Sequence, residues 1–174
     1  SEDTKKLVAG DTVVLSGTIY TARDAAHSRL VDLLEAGEVL PFDLEGSVIY
    51  FVGPTPPKPG DPIGSAGPTT SYRMDTYSPT KLKHGSKRMI GKGNRNQAVK
   101  DACVYFDGIY FGATGGAVAL LGKQFSSAEV IAYPELGPEA VSKITVENFP
   151  VTVVNDTKGN DIYQMGREQY EVKD

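Results

Sequence analysis

The chain has 174 residues, of which 40% are hydrophobic and 23% charged, and its formal net charge is -4. These are values of a globular protein, and the length suits one domain over residues 1–174 that buries a core without disulfides or structural metal ions. No apolar run approaches the roughly 20 residues of a membrane span, and residues 1–6 lack the apolar stretch of a secretory signal peptide, so we expect a cytoplasmic protein.

The cysteine content and the charge distribution limit the chemistry further. Cys103 is the single cysteine, so it forms no internal disulfide and cannot by itself hold a zinc ion or an iron–sulfur cluster, which need several ligands. Residues 76–100 hold seven Lys or Arg and no acid. Such a patch attracts anions, and charge alone does not distinguish a small carboxylate from a nucleic-acid backbone.

The first part of the chain predicts two short strands and a helix. Residues 12–15 and 17–20 are rich in Val, Ile, Thr and Tyr, and the break near Gly17 favours two strands. Thr21 is placed to cap a helix with Asp24 three residues later, and Gly37 is placed to end it. The apolar residues of this helix fall on one face: Ala26, Leu30, Leu33 and Leu34.

A central strand and a long loop are predicted next. Residues 47–52 are a continuous apolar run with β-branched and aromatic members, the pattern of a strand buried on both faces. Residues 53–68 hold six of the eleven prolines and four glycines, so no regular element persists there. We interpret Gly53–Pro68 as a functional loop because long ordered loops usually carry function; a disordered linker is the alternative.

The elements after the loop alternate irregularly between strands and helices. Asp107-Gly108 is a turn dipeptide between two apolar segments and predicts a β-hairpin. The irregular order favours an α/β fold with a mixed sheet over a regular doubly wound one. The predicted elements are a helix at 94–102, strands at 104–106 and 109–111, a glycine-rich entry at 112–116 into an apolar segment at 117–121, a strand at 129–132, a short helix near 138–142 and a strand at 151–154.

Two motifs combine arginine with hydrogen-bonding side chains. Arg23 and His27 lie four residues apart near the start of the first helix, where free backbone N–H groups and the helix dipole favour an anion. A solvated helix start with Arg23 paired to an acid explains the same spacing, and spacing alone favours it. Residues 67–73 (GPTTSYR) place three hydroxyl side chains before Arg73, which suits an oxyanion or a simple Ser/Thr-rich turn.

Neither glycine-rich motif has the spacing of a nucleotide site. Lys92 lies between Gly91 and Gly93 before a predicted helix, but the phosphate-loop spacing fails on both sides of it. Residues 112–116 also miss the G-x-G-x-x-G spacing of a dinucleotide site. His84 lies among lysines and is expected to be exposed, and Cys103 is expected to be a buried small hydrophobe.

Taken together, these strings resemble one family over nearly the whole chain. The family is the β-subunit region of class I, iron–sulfur fumarases and tartrate dehydratases. The strings that carry the resemblance, in chain order, are residues 21–27 (TARDAAH), 40–44 (LPFDL), 50–55 (YFVGPT), 67–70 (GPTT), 73–75 (RMD), 89–93 (MIGKG), 132–140 (AYPELGPEA), 149–150 (FP) and 156–160 (DTKGN).

The resemblance implies a swivelling mixed α/β domain of the β/β/α type and a divided active site. In this family a separate α subunit or N-terminal domain holds the [4Fe-4S] cluster with three cysteine ligands. The β region brings substrate-contacting side chains, and Tyr72 here replaces a glycine of the family pattern. The matching positions are Arg23, His27, Thr69, Arg73 and Lys92.

The implied activity is the reversible dehydration of a 2-hydroxy dicarboxylate, of the malate/fumarate type or, alternatively, tartrate. Arg23, Arg73 and Lys92 would meet the two carboxylates, which leave water only if several cations receive them. The resemblance implies Thr69 as the proton-abstracting base. A hydroxyl is a poor base without activation, so His27 or Asp24 assists or replaces it.

The expected partners are a cluster-bearing α subunit and a small dicarboxylate, in an α2β2 or higher assembly, with no nucleic acid and no membrane. A non-catalytic nucleic-acid-binding module that uses residues 76–100 is the rival hypothesis. It is weaker because Tyr77 is the one aromatic residue of that stretch, which leaves little for base stacking. A purely structural partner would leave the Arg, Thr and Lys motifs unexplained.

Overall fold

A computed structural model of the protein describes residues 5–51, 74–113 and 129–165, except for the side chains of 137–139. The predicted loop at 53–68 and the segment at 117–121 lie outside the described residues. The main helices are α1 (Asp24–Ala36), α2 (Ser78–Lys83) and α3 (Gln97–Phe106), with a 3₁₀ helix at Pro134–Glu139. The strands are β1 (Thr12–Thr21), β2 (Val48–Tyr50), β3 (Arg88–Gly91), β4 (Ile109–Ala113), β5 (Glu129–Ala132) and β6 (Val141–Asn155).

The strands form one mixed sheet that closes on itself. Strands β1 to β4 are parallel neighbours in chain order. The 15-residue strand β6 runs antiparallel to both ends of this set, pairing with β1 along one edge and with β4 along the other. Strand β5 pairs with the beginning of β6. The predicted mixed α/β fold is therefore confirmed, with the sheet closed into a small barrel.

Two apolar clusters fill the protein, and alternation along the strands assigns residues to one or the other. In β2 and the residue after it, Tyr50 belongs to a cluster with Phe149 and Val151, whereas Ile49 and Phe51 belong to the cluster shared with the helices. Successive side chains of a strand point to opposite faces, so one cluster fills the barrel and the other lies between barrel and helices. The run at 47–51 is buried on both faces, as its sequence predicts.

The first strand and helix correct two details of the sequence prediction. The two strands expected around Gly17 are one strand, and the pairing with β6 shifts register between Leu15 and Gly17 instead of breaking. Thr21 does not cap α1, because it is the last residue of β1 and pairs with Tyr50; Arg23 occupies the N-cap position. Gly37 does end the helix, in the left-handed conformation with φ 70°.

The predicted hairpin at Asp107-Gly108 is wrong. Residues 104–106 are the last turn of α3, which begins at Gln97 instead of residue 94. Asp107 adopts the left-handed conformation with φ 57° and its N–H bonds to the Cys103 carbonyl, so the dipeptide ends a helix. A Cβ on Gly108 would collide with the Leu82 side chain. Asp-Gly suits both a β-hairpin turn and the end of a helix. Burial of one face of α3 on the barrel decides for the helix end.

The C-terminal elements are placed correctly in part. Strand β5 coincides with the predicted residues 129–132, and residues 151–154 form part of the longer β6. The short helix expected near 138–142 is wrong in position, since the 3₁₀ helix ends at Glu139 and β6 begins at Val141. No helix in the described ranges is both long and apolar enough to cross a lipid bilayer.

Asp156 ties the end of β6 to two other parts of the chain. Its carboxylate accepts hydrogen bonds of 2.9 Å from the backbone N–H groups of Ala9, Lys158 and Asn160. Burial acts to raise the pKa of this carboxyl, but the hydrogen bonds outweigh it and the pKa is lowered. The charged form of Asp156 is therefore part of the folded structure.

We expect Asp156→Asn to lower the free energy of unfolding by roughly 1–3 kcal/mol, because an amide NH₂ replaces an oxygen that accepts backbone donors. Since the folded pKa is depressed, the contribution of Asp156 is present above the unfolded carboxyl pKa of about 3.9 and is lost as the pH falls through the folded value. Urea denaturation between pH 3 and 7 measures both effects. Asp32→Asn, on the exposed face of α1, is the control, and equal losses in the two variants would contradict the prediction.

Candidate functional site

The carboxyl ends of β1, β2 and β3 meet at one edge of the barrel, which we call the carboxyl rim. Thr21 pairs with Tyr50, and Tyr50 pairs with Ile90, so the three strands end side by side. Adjacent strands lie about 4.8 Å apart, which places Thr21 and Ile90 about 10 Å apart across the rim. In open α/β sheets, ligands bind outside the carboxyl ends of the strands.

The rim places several of the predicted site residues in one region. Arg23 and Asp24 follow β1 by two and three residues, and Lys92 directly follows β3. Lys92 is exposed, and Arg23 and Asp24 are half-buried. The predicted residues Thr69 and Arg73 lie outside the described residues, in the segment that connects β2 to α2.

His27 is fully buried and its tautomer is defined by its contacts. Its Nδ1 lies 2.8 Å from the Arg23 carbonyl oxygen, which can only accept, so Nδ1 carries the hydrogen and Nε2 carries a lone pair. Nε2 has no hydrogen-bond partner among the described residues. The solvated helix start that explains the same spacing does not describe His27, because the imidazole is withdrawn from solvent.

Two basic residues that the sequence analysis did not select lie beside His27. The His27 ring meets the Phe51 ring edge-on with centroids 5.3 Å apart. The Lys81 Nζ lies 4.8 Å from the centre of the Phe51 ring, and the Arg95 Cζ lies 5.0 Å from it. We call Phe51, His27, Lys81 and Arg95 the Phe51 cluster. His27 belongs to α1, Lys81 to α2 and Arg95 to the segment before α3. All three side chains meet at Phe51, the residue after β2.

Arg95 is held by a buried ion pair. Its Nε lies 2.5 Å from Asp75 Oδ1, and it also donates to the Ser78 hydroxyl. The second oxygen of Asp75 accepts from the Asn96 backbone N–H at 2.8 Å. The guanidinium lies over the Tyr110 ring at 4.8 Å as well. This arginine organises the floor of the rim and has a structural role even without a ligand.

The Phe51 cluster disfavours additional positive charge. Burial lowers the pKa of His27 well below its usual value, the Lys81 and Arg95 cations lower it further, and the hydrogen bond to the Arg23 carbonyl opposes them. Burial also lowers the pKa of the Lys81 amine well below its usual value, with a further contribution from Arg95. The environment of the free cluster therefore disfavours the protonated forms of both His27 and Lys81 beside the permanently charged Arg95.

Unpartnered polar atoms are concentrated at this rim. Buried polar atoms normally find a hydrogen-bond partner, so each exception requires an explanation. A binding site for a polar ligand explains such a concentration, because the ligand supplies the missing partners. Within the described residues, the buried side-chain atoms without a partner at or next to the rim are Thr21 Oγ1, Arg23 Nε, Asp24 Oδ1, His27 Nε2, Tyr50 Oη and Lys81 Nζ.

The described residues do not offer a ligand set for an iron–sulfur cluster or a metal ion. Cys103 is buried in α3 as a small hydrophobe, as expected, and burial raises the pKa of its thiol to about 12. A thiolate is the form that binds iron, so this environment opposes ligation. The described ranges contain no group of three or more His, Cys, Asp and Glu side chains that could hold a metal ion.

A separate cavity of about 630 Å³ lies at the opposite end of the parallel strands. Its lining includes Glu45, Lys83, Lys87 and Tyr105, together with the exposed His84. None of the predicted catalytic or substrate-binding residues contributes to this cavity. The candidate residues that the structure describes, Arg23, Asp24, His27 and Lys92, therefore lie at the rim and not at this cavity.

The fold and the site define a small mixed α/β barrel domain with buried basic side chains beneath the carboxyl rim. The amino-acid sequence matches the family model described as Fumarase C-terminus over residues 1–166, and the chain belongs to that family. The predicted resemblance is confirmed.

Three relatives illustrate the match. The chain is 47% identical over 152 residues to the anaerobic class I fumarate hydratase of Escherichia coli (strain K12), covering 86% of this chain and 28% of that protein. It is 44% identical over 156 residues to fumarate hydratase 2 of Leishmania major, covering 88% and 28%. It is 34% identical over 167 residues to the L(+)-tartrate dehydratase subunit beta of Escherichia coli (strain K12), covering 93% and 82%. The chain thus spans little more than a quarter of these fumarate hydratases but most of the tartrate dehydratase subunit.

The buried and exposed arginine ion pairs should differ strongly in their effect on stability. Arg95→Met leaves the Asp75 carboxylate, which is 7% exposed, without its cation and should cost about 3–5 kcal/mol. Arg29→Met removes a solvent-exposed pair with Glu135 and should change the free energy of unfolding far less, because water and salt screen such a pair. Urea denaturation of the two variants checks the difference, and similar costs would show that Arg95 does not organise the rim.

Proposed function

We propose that this chain is the β subunit of an iron–sulfur-dependent hydro-lyase that reversibly dehydrates a 2-hydroxy dicarboxylate, with malate and fumarate as the substrate pair. The observation that carries the proposal is the gathering of unpartnered buried groups, with Arg23 and Lys92, at the carboxyl rim of a Fumarase C-terminus domain. A dicarboxylate fits this rim because it brings negative charge and hydrogen-bond acceptors to Arg23 Nε and Lys81 Nζ, which are buried without a hydrogen-bond partner among the described residues.

Binding of the substrate is assigned to three cations. Arg23 and Lys92 follow strand ends that lie about 10 Å apart, so they can hold the substrate from two sides of the rim. Arg73, from the segment that joins β2 to α2, is proposed as the third. An arginine can bind a carboxylate with two parallel hydrogen bonds, whereas Lys92 acts as a point charge.

Removal of the proton next to the substrate hydroxyl is assigned to Thr69, with His27 as its activator. A threonine hydroxyl needs a neighbouring base. His27 supports this role because its Nδ1 is committed to the Arg23 carbonyl, which leaves the Nε2 lone pair as the acceptor, and because the nearby cations favour the neutral imidazole. Asp24, whose Oδ1 is buried without a partner in the described structure, is the alternative activator.

The [4Fe-4S] cluster is assigned to a partner subunit. Cys103, the one cysteine of the sequence, is buried and protonated, so this chain does not supply a ligand set. A relative that matches most of this chain is named as a subunit beta, which supports the existence of an α subunit. We propose an α2β2 or larger assembly in which the α subunit covers the carboxyl rim and brings the [4Fe-4S] cluster to the bound substrate.

Two other functions are considered against this proposal. Dehydration of tartrate is favoured by the match to nearly the full length of a tartrate dehydratase subunit, and it uses the same rim. A nucleic-acid-binding module is disfavoured, because two of the seven basic residues in 76–100, Lys81 and Arg95, are buried and cannot reach a phosphate backbone.

The function is tested by reconstitution. The purified chain alone should show no hydration of fumarate. Coexpression with a cluster-bearing α subunit should give activity that depends on both chains. Assays with malate, fumarate and tartrate in parallel identify the substrate by the highest kcat/KM. A stable cluster with hydratase activity in the isolated chain would contradict the two-subunit proposal, and activity on none of the three acids would contradict the substrate class.

The roles of Thr69 and Lys92 should separate kinetically in the reconstituted enzyme. Thr69→Ala should lower kcat by about 100-fold or more with a small change in KM, because a base acts mainly in the transition state. Lys92→Ala should mainly raise KM, because a carboxylate loses a charge that it meets in the ground state as well. Thr69→Ser is the matched control and should retain activity. Normal turnover in Thr69→Ala would transfer the role of base to His27 or to the partner subunit.

A further inference from the structure

Lys81 is a buried amine without a partner. It belongs to α2, its relative exposure is 0%, and Nζ makes no hydrogen bond or ion pair with the described residues. The nearest feature is the Phe51 ring, 4.8 Å away. An aromatic face attracts an ammonium but accepts no strong hydrogen bond from it, so the ring alone does not compensate the loss of water. A charged Lys81 needs an anion that the described residues do not provide.

His27, on the other side of the Phe51 cluster, is also buried with a polar atom that has no partner among the described residues. Its Nε2 is buried, carries a lone pair and lacks a partner in the described part of the chain. Both groups can accept a proton, and burial next to Arg95 lowers the pKa of both and so disfavours their protonated forms. The two elements that carry them, α1 and α2, pack against the end of β2 at the carboxyl rim.

The groups around the pair do not supply the missing negative charge. Asp75 is bonded to Arg95 and to the Asn96 backbone, so its charge is already shared. Tyr77 approaches His27 with ring centroids 6.1 Å apart. Asp24 lies one turn before His27 on α1, and its Oδ1 is buried. Near Phe51, the three basic side chains therefore face two carboxylates, those of Asp75 and Asp24, and the Asp75 charge is already paired with Arg95.

We propose that Lys81 and His27 together form a proton-accepting pair behind the anion site, and that binding of a dicarboxylate at the carboxyl rim draws a proton from solvent into this pair, held mainly on the Lys81 amine so that the His27 lone pair stays available. The inference rests on the proposed function for the identity of the ligand. The dianion lowers the electrostatic cost of an additional buried positive charge, since charges interact strongly where water is excluded. Lys81 is thus a charge-positioning residue of the site, and no recognised motif includes it.

The proposal determines the direction of the pH dependence. Burial next to Arg95 lowers the pKa of both groups in the free enzyme, and a bound dianion opposes this lowering, so the pKa of the pair is higher in the complex than in the free enzyme. Binding therefore takes up protons over the pH range between these two values. Within that range the affinity for the dicarboxylate falls as the pH rises, and the slope of log Kd against pH equals the number of protons taken up.

Calorimetric titration of the assembled enzyme with succinate measures this uptake directly. Succinate has neither the double bond nor the hydroxyl, so it binds without turnover. Titrations at pH 7.5 in HEPES and in Tris separate the heat of binding from the heat of buffer ionisation. We expect the wild-type enzyme to take up about half a proton or more per site, as the linkage of binding to a shifted pKa requires. Lys81→Met, which replaces the amine by an apolar chain of similar length, should lose most of the uptake.

Two further variants distinguish the pair from the rest of the enzyme. Lys83→Met removes an exposed lysine two residues away in the same helix and should leave the uptake unchanged. His27→Gln retains a hydrogen-bonding side chain without a titrating group and should reduce the uptake in part. If Lys81→Met fails to assemble with its partner, Lys81→Gln is measured in its place.

The outcomes are separable. Binding of succinate without proton uptake, or with equal uptake in wild type, Lys81→Met and His27→Gln, overturns the proton-accepting pair and leaves the proposed function intact. No binding of succinate, fumarate or malate to the assembled enzyme overturns the proposed function and this inference with it. Uptake that is lost in Lys81→Met and retained in Lys83→Met, with a log Kd that changes with pH by the same number of protons, supports the pair.

Discussion

The closure of the sheet by β6 is the constraint on which the rest of the structure depends. One strand of 15 residues pairs with β1 along one edge and with β4 at its end, so the four parallel strands curve into a barrel. Curvature gives them a common rim, where the chain leaves β1, β2 and β3 toward the helices. Asp156 then fixes the end of β6 by accepting three backbone hydrogen bonds.

The interior beneath the rim is arranged for charge rather than for stability alone. A protein that only needed a stable core would place apolar side chains around Phe51 instead of His27, Lys81 and Arg95, because buried charges and unpartnered polar atoms cost free energy. Arg95 is compensated by Asp75, whereas Lys81 and His27 are not compensated by any described side chain. Such local violations of the usual rules of burial are expected at functional sites. The Fumarase C-terminus family match and the position of Arg23 and Lys92 at the same rim agree with this interpretation.

Local patterns predicted the elements better than their connections. The apolar run at 47–51, the helix stop at Gly37 and the strand at 129–132 were all readable, because burial on both faces, positive φ at glycine and β-branched alternation leave clear signals. The predictions of a hairpin at Asp107-Gly108 and of a helix cap at Thr21 were wrong. Asp-Gly suits a hairpin turn or a helix end, and Thr suits a helix cap or a strand. Packing of α3 and the pairing of Thr21 with Tyr50, both long-range contacts, made the choice.

By itself the sequence determined the family, the mixed α/β class and the presence of a single cysteine, since these follow from ordered motifs, from the order of the predicted elements and from composition. That the basic residues suit a dicarboxylate is what the family resemblance implies. Only the tertiary structure decided that β6 closes the barrel and that Lys81 and Arg95 meet His27 around Phe51. The physical reason is distance along the chain. Residues 27, 51, 81 and 95 belong to separate elements, and a lysine within a basic stretch has the same local pattern whether it is solvated or buried. Burial depends on the packing of α1 and α2 against β2, which no local pattern encodes.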